Sequence, residues 1–130
     1  MPSYEYAHIH INVEDLDAAI AWYENAFGAK LVSKGENLPG RFSASLDING
    51  MRLILSNKLY PLDAPIRHGQ AAQQFGLEHF ALSVDHFLDA MAELKAKGVR
   101  FAMEPHEFRP GTWIAFVEAP EGVLIELMGR

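Results

Sequence analysis

An internal repeat constrains the fold of this chain more than any other feature. His8 and His79 lie 71 positions apart, and Gly50 and Gly122 lie 72 positions apart. The pairs between them keep the first spacing: Val13 with Val84, Ala19 with Ala90, and Ile20 with Met91. A chain with such self-similarity folds as copies of one supersecondary unit, which complete a core together. The sequence therefore predicts two half-units of about 60 residues, each small enough to need its twin.

Hydrophobic patterning predicts the order β-α-β-β-β in the first half. Residues 6–13 alternate polar and apolar side chains, which is typical of a strand with His8, His10 and Asn12 on one face. Residues 18–27 have apolar side chains at helical spacing, and Gly28 stands where a helix C-cap belongs. Three strands follow, at 30–34, 41–48 and 51–56, and Asn49-Gly50 predicts a hairpin between the last two.

The second half repeats this order. Its patterning predicts a strand at 80–85, a helix at 86–97 ended by Gly98, and strands at 99–103, 112–117 and 123–128. We therefore predict an α+β fold of tandem β-α-β-β-β modules that form a curved mixed-sheet trough. The first module spans 1–58, a linker 59–75, and the second module 76–130. Such modules either close into a shared trough or exchange between chains.

Composition excludes several classes of function. The 130 residues include 17 acidic and 11 basic side chains, a net charge of -6, with no lysine- or arginine-rich run, which disfavours nucleic-acid partners. No apolar stretch approaches the roughly 20 residues of a membrane helix, so we expect no membrane partner. The first six residues lack a secretory pattern, so we expect a cytoplasmic protein. Because cysteine is absent, any metal must bind to His, Asp or Glu side chains.

Three residues form a candidate metal site. His8 and His79 occupy equivalent positions in the repeat, so we expect them to face one cavity. Glu126 lies in an apolar last strand, where an isolated charge is costly to bury. Two imidazoles and one carboxylate leave coordination positions open for water, substrate or dioxygen. The alternative is that these residues are two structural histidines and an edge-strand glutamate. Because the three residues occupy equivalent strand positions of the repeat, metal ligation is favoured.

Several segments resemble the vicinal oxygen chelate superfamily, which includes glyoxalases, bleomycin resistance proteins and extradiol dioxygenases. They are HIHINVEDL at 8–16, AWY at 21–23, FG at 27–28, HFALSVD at 79–85 and IAFVEAPEGVLIEL at 114–127. The second module is most similar to bacterial glyoxalase I. The resemblance implies one divalent metal ion (iron, nickel, zinc, cobalt or manganese) on His8, His79 and Glu126. It also implies a homodimer and a glyoxalase-like lyase or isomerase acting on a small oxygen-chelating substrate.

Four positions depart from the patterns of the named enzymes. Ile54 stands where glyoxalase I has a fourth ligand, and Asn12 where it has a glutathione-binding arginine. Phe116 stands where extradiol dioxygenases have a cavity tyrosine. His10 stands where the fosfomycin-resistance enzymes of the same superfamily have a residue with a hydroxyl group. Two alternatives therefore stay open. A non-haem iron(II) extradiol-type dioxygenase suits a three-ligand set, and a non-catalytic small-molecule binding protein suits the same trough.

Strand parity suggests roles for neighbours of the predicted ligands. His10 lies two residues after His8 and is therefore predicted to face the same side of the strand. It is predicted to act as a general acid or base, or else only to form hydrogen bonds. Glu126 is the other candidate for moving a proton. Arg52 shares parity with Ile54 and is a candidate clamp for a carboxylate or phosphate, or else a solvated residue or a partner of Asp47. The substrate-binding candidates are Arg52, Asn12 and Phe116.

Overall fold

A computed structural model describes residues 1–58 and 63–130 of the chain. The chain divides into two compact units, Met1–Ile66 and Arg67–Arg130. The point of division falls inside the predicted linker 59–75, of which residues 59–62 lie outside the described residues. Within the described residues, each unit contains one four-stranded sheet and one α-helix.

The first unit has five elements in the predicted order. They are β1 (Ile9–Asn12), α1 (Leu16–Phe27), β2 (Lys30–Leu38), β3 (Arg41–Ile48) and β4 (Met51–Ser56). The strands lie in the order β1-β4-β3-β2. Strands β1 and β4 are parallel, whereas the other pairs are antiparallel. The sheet is therefore mixed, and the first and last strands of the unit form its parallel pair.

The second unit repeats this topology. Its elements are β5 (His79–Val84), α2 (Phe87–Ala96), β6 (Arg100–Arg109), β7 (Thr112–Ala119), a 3-10 turn (Pro120–Gly122) and β8 (Val123–Gly129). The strands lie in the order β5-β8-β7-β6, with β5 and β8 parallel. This confirms the predicted α+β class and the tandem β-α-β-β-β order.

The repeat extends to the register of the strands. His10 lies opposite Ile54 in the first sheet, and Ala81 lies opposite Glu126 in the second. Ala81 follows His10 by 71 positions, and Glu126 follows Ile54 by 72. The spacing inferred from sequence thus identifies true structural equivalents, and Ile54 occupies the position of Glu126 in the first sheet.

Local sequence explains where α1 begins and ends. The Asp15 carboxylate accepts a hydrogen bond from the Ala18 amide at 3.0 Å, which caps an otherwise unpaired N–H group. Gly28 ends the helix with φ of 67°, a left-handed conformation that favours glycine. One face of the helix is buried: Leu16, Ala19, Ile20, Tyr23 and Ala26. The first sheet contributes its fully buried Leu46, Leu53 and Leu55 to the same core.

The second unit has an equivalent core. Helix α2 buries Phe87, Met91 and Leu94. The sheet side chains buried in this unit include Ala115, Val117, Ile125 and Leu127. Alternate residues along these strands have the opposite orientation, so in both units one sheet face is apolar and the other is free to carry polar side chains.

Three strand boundaries differ from the predicted ones by three residues or more. The first strand begins at Ile9 rather than at residue 6, so His8 precedes β1. Strands β2 and β6 run to Leu38 and Arg109, beyond the predicted ends at 34 and 103. Both extensions lie in hairpins, where backbone pairing with the neighbouring strand continues past the last patterned side chain. Within the described part of the chain, no helix has the length and apolarity needed to cross a bilayer.

The Tyr23 hydroxyl is a buried polar group for which the described residues provide no hydrogen-bond partner. Burial raises the pKa of this phenol above its ordinary value. Replacing Tyr23 with Phe keeps the ring contacts with Trp22 and Phe27 and removes the unpaired hydroxyl. We expect the free energy of unfolding to rise by about 1–2 kcal/mol in urea denaturation. A loss of stability would show that the hydroxyl is hydrogen-bonded.

Gly129 marks a close approach between the two parallel strands of the second unit. A Cβ atom there would overlap the Val84 carbonyl oxygen, a backbone atom that no rotamer change can move. We expect Gly129→Ala to lower stability by about 1–3 kcal/mol in the same assay. Gly35→Ala is the matched control, because a Cβ atom at Gly35 meets nothing within 4 Å. Equal stability of the two variants would contradict the strand packing described here.

Candidate functional site

The first sheet carries a polar cluster on the face opposite its leucine core. His10 lies opposite Ile54, and Asn12 lies opposite Ser56. The Nε2 atom of His10 is 2.9 Å from the Asn12 Oδ1 atom and 2.8 Å from the Ser56 Oγ atom. The Ser56 hydroxyl also lies 2.9 Å from the Lys58 carbonyl oxygen and 3.1 Å from Asn12 Oδ1. Ser56 is fully buried, so this network fixes its hydroxyl.

The donor count of this cluster favours one tautomer of His10. The Asn12 Oδ1 atom and the Lys58 carbonyl oxygen can only accept hydrogen bonds, and the Ser56 hydroxyl has a single proton. A proton on His10 Nε2 supplies the second donor that these contacts need. In a neutral ring, the Nδ1 atom of His10 is then the nitrogen with the free lone pair, the one able to accept a proton.

Two other predicted residues of the first unit are exposed. His8 lies just before β1, and Arg52 lies on β4. Arg52 donates from Nε to the Ser45 hydroxyl at 3.2 Å. The Asp47 carboxylate instead accepts from the Gly50 amide in the hairpin turn, and no ion pair joins it to Arg52 in the described part of the chain. The terminal guanidinium nitrogens of Arg52 therefore remain available to an anion.

The second unit brings two predicted metal ligands together. The His79 Nε2 atom lies 3.6 Å from the Glu126 Oε1 atom. On the other side of the ring, His79 Nδ1 lies 3.0 Å from the Glu78 carboxylate. The Phe116 and His79 rings pack in a T-shaped arrangement, with the ring centroids 4.9 Å apart. Both predicted ligand side chains are partly exposed, His79 by 29% and Glu126 by 20%, so an ion could reach them.

The geometry and charge of this group fit a divalent cation. Two ligand atoms bound to one ion at about 2.1 Å lie roughly 3.0–3.4 Å apart, close to the observed spacing. With the Nδ1 proton directed at Glu78, a neutral His79 has its lone pair on Nε2, the atom that lies 3.6 Å from Glu126 Oε1. At 3.6 Å, the Nε2 and Oε1 atoms are too far apart for a direct hydrogen bond, so the gap between them can take a cation. Two carboxylates beside one imidazole supply the charge to balance such an ion.

Two of the positions that depart from the patterns of the named enzymes, Ile54 and Phe116, lie beside Glu126 or at its equivalent position. Ile54, the equivalent of Glu126, offers only carbon atoms, so the first sheet supplies no carboxylate there. Phe116 lies opposite Glu126 and contacts His79 through its ring, with no hydroxyl to offer. His8 belongs to the first unit, and its convergence with His79 and Glu126 stays a prediction.

Sequence reasoning missed two residues of these clusters, Ser56 and Glu78. Ser56 had a usable signal, since it shares strand parity with Arg52 and Ile54. Glu78 had none, because alternation within a strand would place it on the face opposite His79. The contact forms because β5 begins at His79, so Glu78 precedes the pleated segment.

Comparison with known proteins identifies relatives along nearly the whole chain. It is 30% identical over 122 residues to the lactoylglutathione lyase of Salmonella typhimurium, which covers 93% of this chain and 89% of that protein. It is 33% identical over 91 residues to the metallothiol transferase FosB of Lysinibacillus sphaericus, covering 68% of this chain and 57% of that one.

Comparison with solved structures identifies the same group of proteins. The crystal structure of glyoxalase I from Zea mays matches with a TM-score of 0.74 and 30% identity, and covers 95% of this chain and 43% of that one. A glyoxylase/bleomycin resistance protein/dioxygenase domain from Frankia sp. EAN1pec matches over 99% of this chain with a TM-score of 0.76 and 21% identity, a likeness of fold. The family sequence model of the Glyoxalase/Bleomycin resistance protein/Dioxygenase superfamily matches residues 5–127, so the chain belongs to this superfamily.

Proposed function

We propose that this protein is a divalent-metal-dependent enzyme of glyoxalase type, a lyase or isomerase acting on a small substrate that chelates through oxygen atoms. The observation that carries this proposal is the pairing of His79 with Glu126, whose ligand atoms lie 3.6 Å apart. The lactoylglutathione lyases among its relatives support the class of reaction. We further propose that the homodimer implied by the resemblance is the working form.

In this proposal, His8, His79 and Glu126 hold the ion. A divalent ion supplies Lewis acidity that stabilises negative charge developing on a substrate oxygen. His79 presents its Nε2 lone pair and Glu126 its Oε1 atom on the same side of the second sheet. Phe116 packs against His79 with its apolar ring. An apolar neighbour strengthens the electrostatic interactions of the group, because it lowers the local dielectric constant.

We assign proton transfer to His10. The contacts of its Nε2 atom with Asn12 and Ser56 leave Nδ1 as the basic atom, held in one orientation. Glu126 is the alternative proton carrier if it can loosen from the ion. Arg52 would bind an anionic group of the substrate, since its Nη atoms have no carboxylate partner among the described residues. Asn12, whose Oδ1 atom is occupied by His10, has its amide N–H groups left for the substrate.

An iron(II) dioxygenase is the second candidate, and Ile54 is the observation that favours it. The residue equivalent to Glu126 in the first sheet cannot ligate, so the proposed set has three protein ligands. Three ligands leave positions for both a substrate and dioxygen. Phe116 counts against the extradiol version, because it lacks a hydroxyl. A small-molecule binding protein without turnover is the third candidate, and the pairing of His79 with Glu126 counts against it.

Elemental analysis of protein purified without added metal tests the proposed centre. We expect about one divalent ion per chain and its loss in His79→Ala, because one of three ligands is removed. His106→Ala is the matched control, since His106 is exposed on β6 of the same unit. Absence of stoichiometric metal in both purified and reconstituted protein, with no effect of His79→Ala, would overturn all metal-dependent functions.

The metal and the reaction together separate the candidate enzymes. Nickel, zinc, cobalt or manganese with turnover of a glutathione thiohemiacetal supports the lyase. Iron(II) with oxygen uptake on addition of catechol supports the dioxygenase. Bound metal with neither reaction would contradict both assignments, while leaving the ligand set intact.

Replacing His10 with Gln tests the proton carrier. A glutamine side chain can still donate to Asn12 and Ser56 but has no basic nitrogen. We expect kcat for the active substrate to fall by about 10²- to 10⁴-fold, the usual effect of losing a general base, with metal content unchanged. His106→Gln should keep full activity. Parallel loss of metal and activity in His10→Gln would make His10 a ligand, and unchanged kcat would remove it from the reaction.

A further inference from the structure

The contact between Glu78 and His79 is unusual for neighbouring residues. Adjacent side chains in a pleated strand point to opposite faces, yet Glu78 Oε1 lies 3.0 Å from His79 Nδ1. A tight turn precedes the pair: Gly76 has φ of 85°, and the Gln74 amide donates to the Leu77 carbonyl oxygen. This turn delivers Glu78 to the start of β5 before the alternation of the strand begins.

Among the described residues, the Glu78 carboxylate forms no ion pair with a lysine or arginine. Within the described residues, His79 is its ion-pair partner, and its side chain is 33% exposed. The repeat gives an internal comparison. The residue equivalent to Glu78 in the first module is Ala7, whose side chain cannot accept a hydrogen bond from His8. The carboxylate is therefore a feature of the second histidine alone, and the β-α-β-β-β fold does not require it.

We propose that Glu78 is a positioning residue that fixes the ring orientation and tautomer of His79. This inference rests on the proposed metal centre. A carboxylate can only accept, so the contact directs the Nδ1 proton to Glu78. The lone pair is then on Nε2, which lies 3.6 Å from Glu126 Oε1. A histidine whose other nitrogen donates to a carboxylate is a more basic ligand, held in one orientation. Glu78 thus fixes the tautomer and orientation of His79 already in the metal-free protein.

Two measurements test this role, neither of which requires a substrate. The first is long-range proton-nitrogen NMR of the metal-free protein, which reports which nitrogen of His79 carries the proton. The second is calorimetric titration with Zn(II) alone. For Glu78→Ala we expect a mixed or reversed tautomer and Zn(II) affinity about 10- to 100-fold weaker. Glu78→Gln keeps an acceptor oxygen without the charge, so we expect the wild-type tautomer with an intermediate affinity.

The control is Glu104→Ala, which also removes one carboxylate from the second unit but one that pairs with Lys95. It should leave both the tautomer and the Zn(II) affinity unchanged. Wild-type tautomer and affinity in Glu78→Ala would overturn the positioning role while leaving the metal centre standing. Failure of the wild-type protein to bind Zn(II) would count against the metal centre, whereas a tautomer change in Glu78→Ala would still support positioning. If Glu78→Ala does not fold, Glu78→Gln decides: unchanged Zn(II) affinity overturns the role.

Discussion

Parallel pairing of the first and last strands is the constraint on which each unit depends. In the second unit this register places His79 opposite Leu124 and Ala81 opposite Glu126. The two proposed ligands are therefore diagonal neighbours on one face, a separation that long side chains can bridge. A slip of one residue would turn Glu126 toward the helix and bring a core isoleucine to the polar face. Hydrophobic packing thus fixes the register of the strands, and the register fixes the positions of His79 and Glu126.

The polar clusters of both units depend on the apolar faces behind them. Ser56 is fully buried, but its hydroxyl has hydrogen-bond contacts with His10, Asn12 and the Lys58 carbonyl group. Such satisfaction offsets the cost of taking a hydroxyl out of water. Glu78, His79 and Glu126 are instead partly exposed, and their charges face one another across an imidazole. The hydrogen bonds of the first cluster are complete, whereas the second leaves His79 Nε2 and Glu126 Oε1 3.6 Å apart, a gap that a cation can bridge.

The two units share one topology but carry different polar side chains at equivalent positions. Equivalent positions carry His10 and Ala81 on the first strands, and Ile54 and Glu126 on the last. The proposed proton carrier is therefore in the first unit, and the ligand carboxylate is in the second. Such division is possible because alternation fixes only which positions face the core. The polar face has no packing requirement, so its residues can differ between the modules without changing the fold.

The sequence by itself determined the module order, both helices and the equivalence of Ile54 with Glu126, because periodicity and a fixed spacing record which side chains are buried. It also placed His79 and Glu126 as partners. The ends of β2 and β6, the start of β1 after His8, and the contacts of Ser56 and Glu78 depended on the tertiary structure. Strand ends follow from backbone pairing with a neighbour, which no local pattern encodes. Contacts such as that of Glu78 with His79 require the exact point where a strand begins, and only the folded chain decides it.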